Sequence, residues 1–176
     1  TPLYSSAASD VYKRQDVPMM SVDVSPDGQY LLTGAFQGGI AVLWNAETGQ
    51  ELRRFEGLSD VVGLVGFSPD GRTAVLGSAD FWGNTTDRNL VLVDIESGEE
   101  IHRLEGHKFG PRSFAFSPDG QYLLTGSLQY GSAYDEIGGG DLILWEVESG
   151  TLVRHFEMTD SVMGIAFSED GQTAYT

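Results

Sequence analysis

Phe116-Ser117-Pro118-Asp119-Gly120-Gln121-Tyr122-Leu123-Leu124-Thr125-Gly126 decides the fold, because the chain repeats it. Val24-Ser25-Pro26-Asp27-Gly28-Gln29-Tyr30-Leu31-Leu32-Thr33-Gly34 precedes it, and Phe67-Ser68-Pro69-Asp70-Gly71-Arg72-Thr73-Ala74-Val75-Leu76-Gly77 lies between the two. A fourth copy opens at Phe167-Ser168-Glu169-Asp170-Gly171 and runs out at Thr176. From Pro26 to Pro69, on to Pro118 and on to Glu169, the intervals are 43, 49 and 51 residues. The shortest matches the ~40–45 residues of a four-stranded propeller blade.

The quoted stretch is a hairpin. Proline presets φ at the first turn position and glycine accepts a positive φ, so Ser-Pro-Asp-Gly reverses the chain tightly. First strands are expected over residues 19–24, 61–67, 112–116 and 162–167, each an apolar run ending at the turn. Third strands follow over 40–45, 90–95 and 142–147. Glu47-Thr48-Gly49, Glu96-Ser97-Gly98 and Glu148-Ser149-Gly150 then turn into fourth strands ending near Phe55, Leu104 and Phe156. Helical periodicity is nowhere sustained.

These residues resemble the WD40-repeat family, from about Val17 to the end. Trp44-Asn45, Val93-Asp94 and Trp145-Glu146 stand where the family has its Trp-Asp pair, and none is intact. Gly106-His107 matches the family's Gly-His, whereas Gly57-Leu58 and Glu157-Met158 depart from it. The resemblance implies an all-β partial propeller of four-stranded antiparallel blades, with Pro26, Asp27, Gly28, Trp44, Pro69, Asp70, Gly71, Asp94, His107, Pro118, Asp119, Gly120 and Trp145 as structural repeat positions. Blades are expected at about 16–59, 60–109 and 110–159, with a truncated fourth from 160.

The resemblance also implies a hydrogen-bonded network of histidine, Ser or Thr, aspartate and tryptophan within a blade. His107, Thr125 or Ser127, and Trp145 supply three members. The aspartate is missing from the expected turn or displaced by an insertion. An incomplete network is therefore expected, with cohesion resting on apolar packing between blades.

Residues 1–15 are set apart. Ser5 to Gln15 match, codon for codon, one frame of a sequencing-library adapter joined to its transposon end, and Thr1 to Tyr4 fit the neighbouring adapter bases. They read as non-native, a natural Ser/Ala-rich leader being the alternative. Three blades and a stub do not close a ring of ~4–8 blades, so more repeats are expected on both sides; assembly of copies into a ring is the alternative.

Composition narrows the function. The formal net charge is −16, and leaving out Asp10, Lys13 and Arg14 makes it one unit more negative. Such a surface repels phosphate backbones, so no nucleic-acid partner is expected, and proteins with basic patches are favoured. The acid alternatively serves only solubility. No apolar run approaches the ~20 residues of a membrane span, and no cysteine is present to form a disulfide or bind a metal through thiolate. Localisation stays open, with a soluble, cytoplasmic setting the expectation.

Candidate chemistry is sparse. His102, His107 and His155 are the only histidines; His107 belongs to the network reading, and the other two are expected exposed on fourth strands. Asp135, Glu136 and Asp141, with Asp80 and Asp87, match no cation-binding spacing and read as solvated loop acids. Gly138-Gly139-Gly140 lacks the Lys and Ser or Thr of a phosphate loop and reads as a hinge. No catalytic residue, metal or cofactor is expected.

All the growth of the repeats falls between second and third strands. Five residues separate Gly34 from Ile40, twelve separate Gly77 from Leu90, and fifteen separate Gly126 from Leu142. Equivalent connections emerge on one face of a propeller, so Phe81, Trp82, Asn84 and Arg88 are expected to neighbour Tyr130, Tyr134, Asp135 and Glu136 as a partner-binding surface. The competing role for these aromatics is to cover a blade edge. A non-catalytic interaction scaffold or sensor module is the leading function. The alternatives are a regulatory propeller of a larger signalling enzyme, such as a kinase or ATPase, or an enzymatic propeller.

Overall fold

The computed structural model describes residues 18–58, 61–78, 90–128 and 139–176. The Ser-Pro-Asp-Gly segments form the expected hairpins. In each, the serine hydroxyl donates to the aspartate carboxylate at 2.6 Å. The same oxygen accepts the amide five residues on at 2.9–3.0 Å, in Tyr30, Thr73, Tyr122 and Thr173. The serine's donation holds Asp27, Asp70, Asp119 and Asp170 below the usual carboxylate range. The turn glycines have φ of 68–72°, conformations that L side chains rarely adopt.

Each hairpin begins a four-stranded antiparallel sheet in sequential order. The first contains β1 (Met19–Val24), β2 (Tyr30–Ala35), β3 (Ala41–Asn45) and β4 (Glu51–Phe55). The second contains β5 (Val62–Phe67), β6 (Thr73–Ser78), β7 (Leu90–Asp94) and β8 (Glu100–Leu104). The third contains β9 (Gly110–Phe116), β10 (Tyr122–Leu128), β11 (Gly140–Glu146) and β12 (Leu152–Met158). A two-stranded sheet of β13 (Ala166–Phe167) and β14 (Ala174–Tyr175) follows. The strand expected over 162–167 is thus paired only at its last two residues, because β14 offers Tyr175 to Ala166 and Ala174 to Phe167 and no further partner.

Alternation along the strands gives every blade two apolar faces. Leu32, Ala41, Leu43 and Phe55 of the first blade pack on Val65, Phe67, Ala74, Leu76, Val91 and Val93 of the second. The opposite face of the second blade, Val75, Leu90, Leu92 and Leu104, packs on Leu123, Ile143 and Trp145 of the third. Each such fully buried Val, Leu, Ile or Phe side chain contributes about 1.5–3 kcal/mol. The core therefore lies between blades.

Polar contacts repeat across the same joints. Ser21 Oγ donates to the Val62 carbonyl at 3.3 Å, and Ser113 Oγ to the Val162 carbonyl at 2.9 Å. Asp23 Oδ2 accepts the Phe67 amide at 2.8 Å. Arg53 on β4 donates to the Ser97 and Glu96 carbonyls of the next blade's outer turn, at 2.6 and 3.0 Å. His102, at the same register on β8, reaches the Glu148 carbonyl at 2.8 Å. It is half-buried in this joint rather than freely exposed.

Close approach needs small residues at fixed places. A methyl on Gly126 would lie 2.3 Å from Val162 Cγ1 and 2.8 Å from Ser113 Oγ, and one on Gly34 would lie 2.4 Å from the Val62 carbonyl oxygen. Gly126→Ala should lower stability by about 1–3 kcal/mol through overpacking at the joint. Gly164→Ala, where a methyl meets nothing within 4 Å, is the matched control. Thermal denaturation checks both, and equal melting of the two variants would refute the close-approach reading.

Candidate functional site

Thr125, in the middle of β10, points toward the second blade and is wholly buried. Trp145 Nε1–H donates to its Oγ1 at 2.8 Å, and His107 Nε2 lies 2.7 Å from the same oxygen. His107 Nδ1 lies 2.6 Å from Asp141 Oδ1. A single tautomer uses each proton once: indole to threonine, threonine hydroxyl to Nε2, and Nδ1–H to the carboxylate. The competing acceptor for the threonine proton, the Ile143 carbonyl, is 3.4 Å away.

Asp141 corrects two expectations. It was read as a solvated loop acid, yet it is 1% exposed. It is also the aspartate thought missing, carried by the insertion to the second position of β11 rather than lost. The network is complete in the third blade. Ser127 Oγ also donates to Asp141 Oδ1, while Lys108 N and His155 Nε2 meet Oδ2 at 2.9 and 3.1 Å. His155 is exposed on its fourth strand, as expected, and its Nε2 reaches this carboxylate from the blade surface. Burial raises the pKa of Asp141, but bonds from His107 and Ser127, the nearby imidazole and the Lys108 amide together drive it well below the usual carboxylate range.

The other blades keep less of the network. In the first, Trp44 Nε1 donates to Thr33 Oγ1 at 2.8 Å, but Ile40 occupies the place of Asp141. In the second, Leu58, Leu76 and Val93 replace the histidine, threonine and tryptophan together and join the apolar core. Asp94, at the second position of the Trp-Asp pair, caps its own turn by accepting Ser97 N at 2.7 Å and Ser97 Oγ at 2.8 Å.

Threonine, histidine and aspartate in line have the order of a nucleophilic triad, but Thr125 and the imidazole of His107 are sealed from solvent. With Trp145 donating to the threonine oxygen, the constellation works as a clamp. Among the described residues no group of three or more His, Cys, Asp or Glu is placed to hold a metal ion. An open groove of about 740 Å³ between the first two blades carries Arg53 and Arg72 beside Asp94 and Glu96, so its charges offset one another. Phe81, Trp82, Asn84, Arg88, Tyr130, Tyr134, Asp135 and Glu136 lie outside the described residues, as do Asp80, Asp87 and Gly138.

Gly139 and Gly140, read as part of a hinge, make close backbone approaches that also require glycine. Methyls there would lie 2.6 Å from the Met158 carbonyl oxygen and 2.3 Å from that of Ser127. They let the foot of the longer insertion press against neighbouring backbone. Nothing in a sequence distinguishes such a close-approach glycine pair from a flexible one.

Asp141→Asn should cost about 2–4 kcal/mol, because a buried acceptor of four donors becomes a half-donor. Because the folded pKa of Asp141 is depressed, its contribution is fully present above the unfolded carboxylate value near 4. It is lost as pH falls from there through the folded value. Melting curves from pH 7 down to pH 3 should show a gap between wild type and variant that begins to narrow near pH 4 and is still present at pH 3. A constant gap across that range would mean that the carboxylate charge plays no part.

Comparison with known proteins agrees with this architecture. The family model described as WD domain, G-beta repeat matches residues 11–45 and 98–131, the first match taking in the last five residues set apart above. No curated protein matches the chain. Among solved structures, hydrazine synthase of Kuenenia stuttgartiensis is similar with a TM-score of 0.73 and 20% identity. The match covers 88% of this chain and 42% of that one, so the chain spans less than half of that protein's length. At this identity the likeness speaks for the fold alone. With two stretches that match the WD40 repeat model, three sequentially ordered four-stranded blades and a complete His–Thr–Asp–Trp network in the third, the chain carries WD40-type repeats and folds as part of a β-propeller.

Proposed function

We propose that this chain is a non-catalytic protein-interaction scaffold within a larger ring of blades, and that it captures partners through its two long insertions. The observation that carries the reading is where they leave the framework. One departs after β6 and returns at β7, the other departs after β10 and returns at β11, so both spring from the same corner of adjacent blades. Side chains on both would converge on one partner: Phe81, Trp82, Asn84 and Arg88 from the first, Tyr130, Tyr134, Asp135 and Glu136 from the second. Aromatic anchors on a rigid support bind well because little ordering remains to be done at capture. The charge of −16 favours partners with basic patches.

Membership of a larger ring is supported at the first blade. Val22 and Val24 on β1 are 64% and 43% exposed, whereas Val65 and Phe67, at the same positions on β5, are buried against a neighbour. Among the described residues no helix is long and apolar enough to cross a membrane.

Replacing Phe81, Trp82, Tyr130 and Tyr134 with Ser should weaken capture at least ~10-fold, since truncated anchors cost about 2 kcal/mol or more. Quantitative pull-down against wild type, repeated at raised salt to expose the basic-partner component, checks it. The melting temperature should stay within a few degrees of wild type. Early melting with an unchanged partner set would make the aromatics blade cover and place the binding surface elsewhere. Turnover of a substrate by the intact protein would instead support an enzymatic propeller.

A further inference from the structure

We infer that the groove between the first and second blades is a second interaction surface, which seats an extended peptide segment with an acidic and a basic side chain flanking an apolar one. Arg72 takes the acidic side chain, Glu96 the basic one, and Leu52 with Tyr30 the apolar one. The inference goes beyond the scaffold reading, which rests on the insertions.

Topology puts the groove on the opposite face. In each antiparallel sheet the first and third connections lie at one end and the second connection at the other. Arg72 belongs to the turn between β5 and β6, and Glu96 to the turn between β7 and β8, whereas both insertions join second to third strands. A segment bound here leaves the insertion face free.

The groove measures about 740 Å³, and its charged groups are not equivalent. Arg53 is committed to the Ser97 and Glu96 carbonyls, and Asp94 to the amide and hydroxyl of Ser97. Arg72 and Glu96 are exposed, and neither side chain makes a hydrogen bond or ion pair among the described residues. Asp70 feels the charge of Arg72 but is already bonded by Ser68 Oγ and the Arg72 amide. Leu52 is 46% exposed, and the half-buried Tyr30 lines the same groove. One unspent charge of each sign and an apolar seat therefore share one groove.

The repeats supply a contrast. At the next joint Thr73, Gln121 and Glu148 occupy the positions of Tyr30, Arg72 and Glu96. Gln29, Gln121 and Gln172 follow the turn glycine in the other three repeats, so Arg72 is the one cation at this place. Charge complementarity selects the occupant. The protein's charge of −16 opposes a purely acidic segment, and Arg72 opposes a purely basic one locally. A segment with one charge of each sign meets neither obstacle, and the planar guanidinium suits a carboxylate.

Amide chemical-shift titration of the whole chain with acetylated, amidated tripeptides tests this. The probes are Glu-Leu-Lys and the reversed Lys-Leu-Glu, with Gln-Leu-Gln, Glu-Leu-Glu and Lys-Leu-Lys as controls. One mixed peptide should bind at least ~3-fold more tightly than every control, a size that solvent-exposed ion pairs can supply. Its shifts should concentrate at Tyr30, Leu52, Arg72 and Glu96. Arg72→Gln, which gives this turn the residue of the other repeats, should abolish the preference and leave the melting temperature unchanged. Arg72→Glu combined with Glu96→Arg should restore it for the peptide of opposite order, which a change in packing alone would not do. Equally tight binding of Gln-Leu-Gln, a preference for Lys-Leu-Lys, or equal shifts at Gln121 and Glu148 overturns the proposal. Full competition by equimolar glycine betaine would make the groove a small-zwitterion site and likewise overturns it. The insertion variant should bind these peptides as wild type does, so a failed scaffold reading and a failed groove are distinguishable.

Discussion

Each blade is a sheet with two apolar faces and so cannot bury itself. Everything else in the molecule follows from that constraint. Leu32 and Leu31 are sequence neighbours on β2, yet Leu32 belongs to the joint with the second blade and Leu31 to a separate cluster with Val42 and Trp44. Gly34 and Gly126, the serine hydroxyls that cross to the next blade and the outer-strand Arg53 and His102 are all devices for bringing one sheet against the next. Even the turn prolines take part. A methyl on Gly71 would meet Pro26 Cδ at 3.4 Å, and one on Gly171 would meet Pro118 Cδ at the same distance, so each turn rests on its neighbour. Glu169 in the fourth turn still closes the same serine–aspartate hairpin, so proline there serves the joint as much as the turn.

The buried polar network behaves as a unit. In the third blade every member is present and each proton has an acceptor. In the second, three members are apolar, and the joint gains Leu58, Leu76 and Val93 as packing surface. A half-replaced set would strand a buried donor, at about 1–3 kcal/mol, whereas wholesale replacement is close to neutral. Ser78 shows the residue of such an exchange: its hydroxyl is buried and finds no hydrogen-bond partner among the described residues, while its equivalent Ser127 bonds Asp141. The first blade keeps the tryptophan–threonine bond without the aspartate, which leaves a two-membered remnant satisfied by the Val42 carbonyl.

The fold was legible because its signals are local and repeated. Ser-Pro-Asp-Gly specifies a hairpin from four residues, and alternation within ten more specifies which side chains face a neighbour. Strand ends in the three four-stranded blades were found within about two residues for the same reason. Asp141 was not found, because the network is recognised by spacing and the insertion before it breaks the spacing while leaving the three-dimensional position intact. The orientation of His155 was hidden too: on an outer strand a histidine and the arginines of the other blades occupy one register, and only the partner decides. Arg54 and Arg103 find Glu51 and Glu100 on their own strands, whereas Leu152 gives His155 no such partner and the ring turns to Asp141 instead.

That turn links the framework to the place where the repeats grow. An insertion between second and third strands must leave and re-enter a sheet without disturbing its ladder. In the third blade the point of return is the most heavily bonded residue described. Asp141 is fixed to β10 by Ser127, to the segment before β9 by His107 and Lys108, and to β12 by His155, so three strands and the segment leading into the fourth are tied at one carboxylate. Gly140 packs against the Ser127 carbonyl oxygen closely enough to exclude a side chain. Loop-closure entropy grows only slowly with length, so once both feet are held, extra residues between them cost little. The second blade has no polar clamp of this kind among its described residues, and there the ladder resumes after the shorter insertion with the fully buried Leu90 opposite Gly77. The corner is thus held by a polar clamp in the third blade and by a buried leucine in the second, so that the joints between these blades rest on residues outside the insertions.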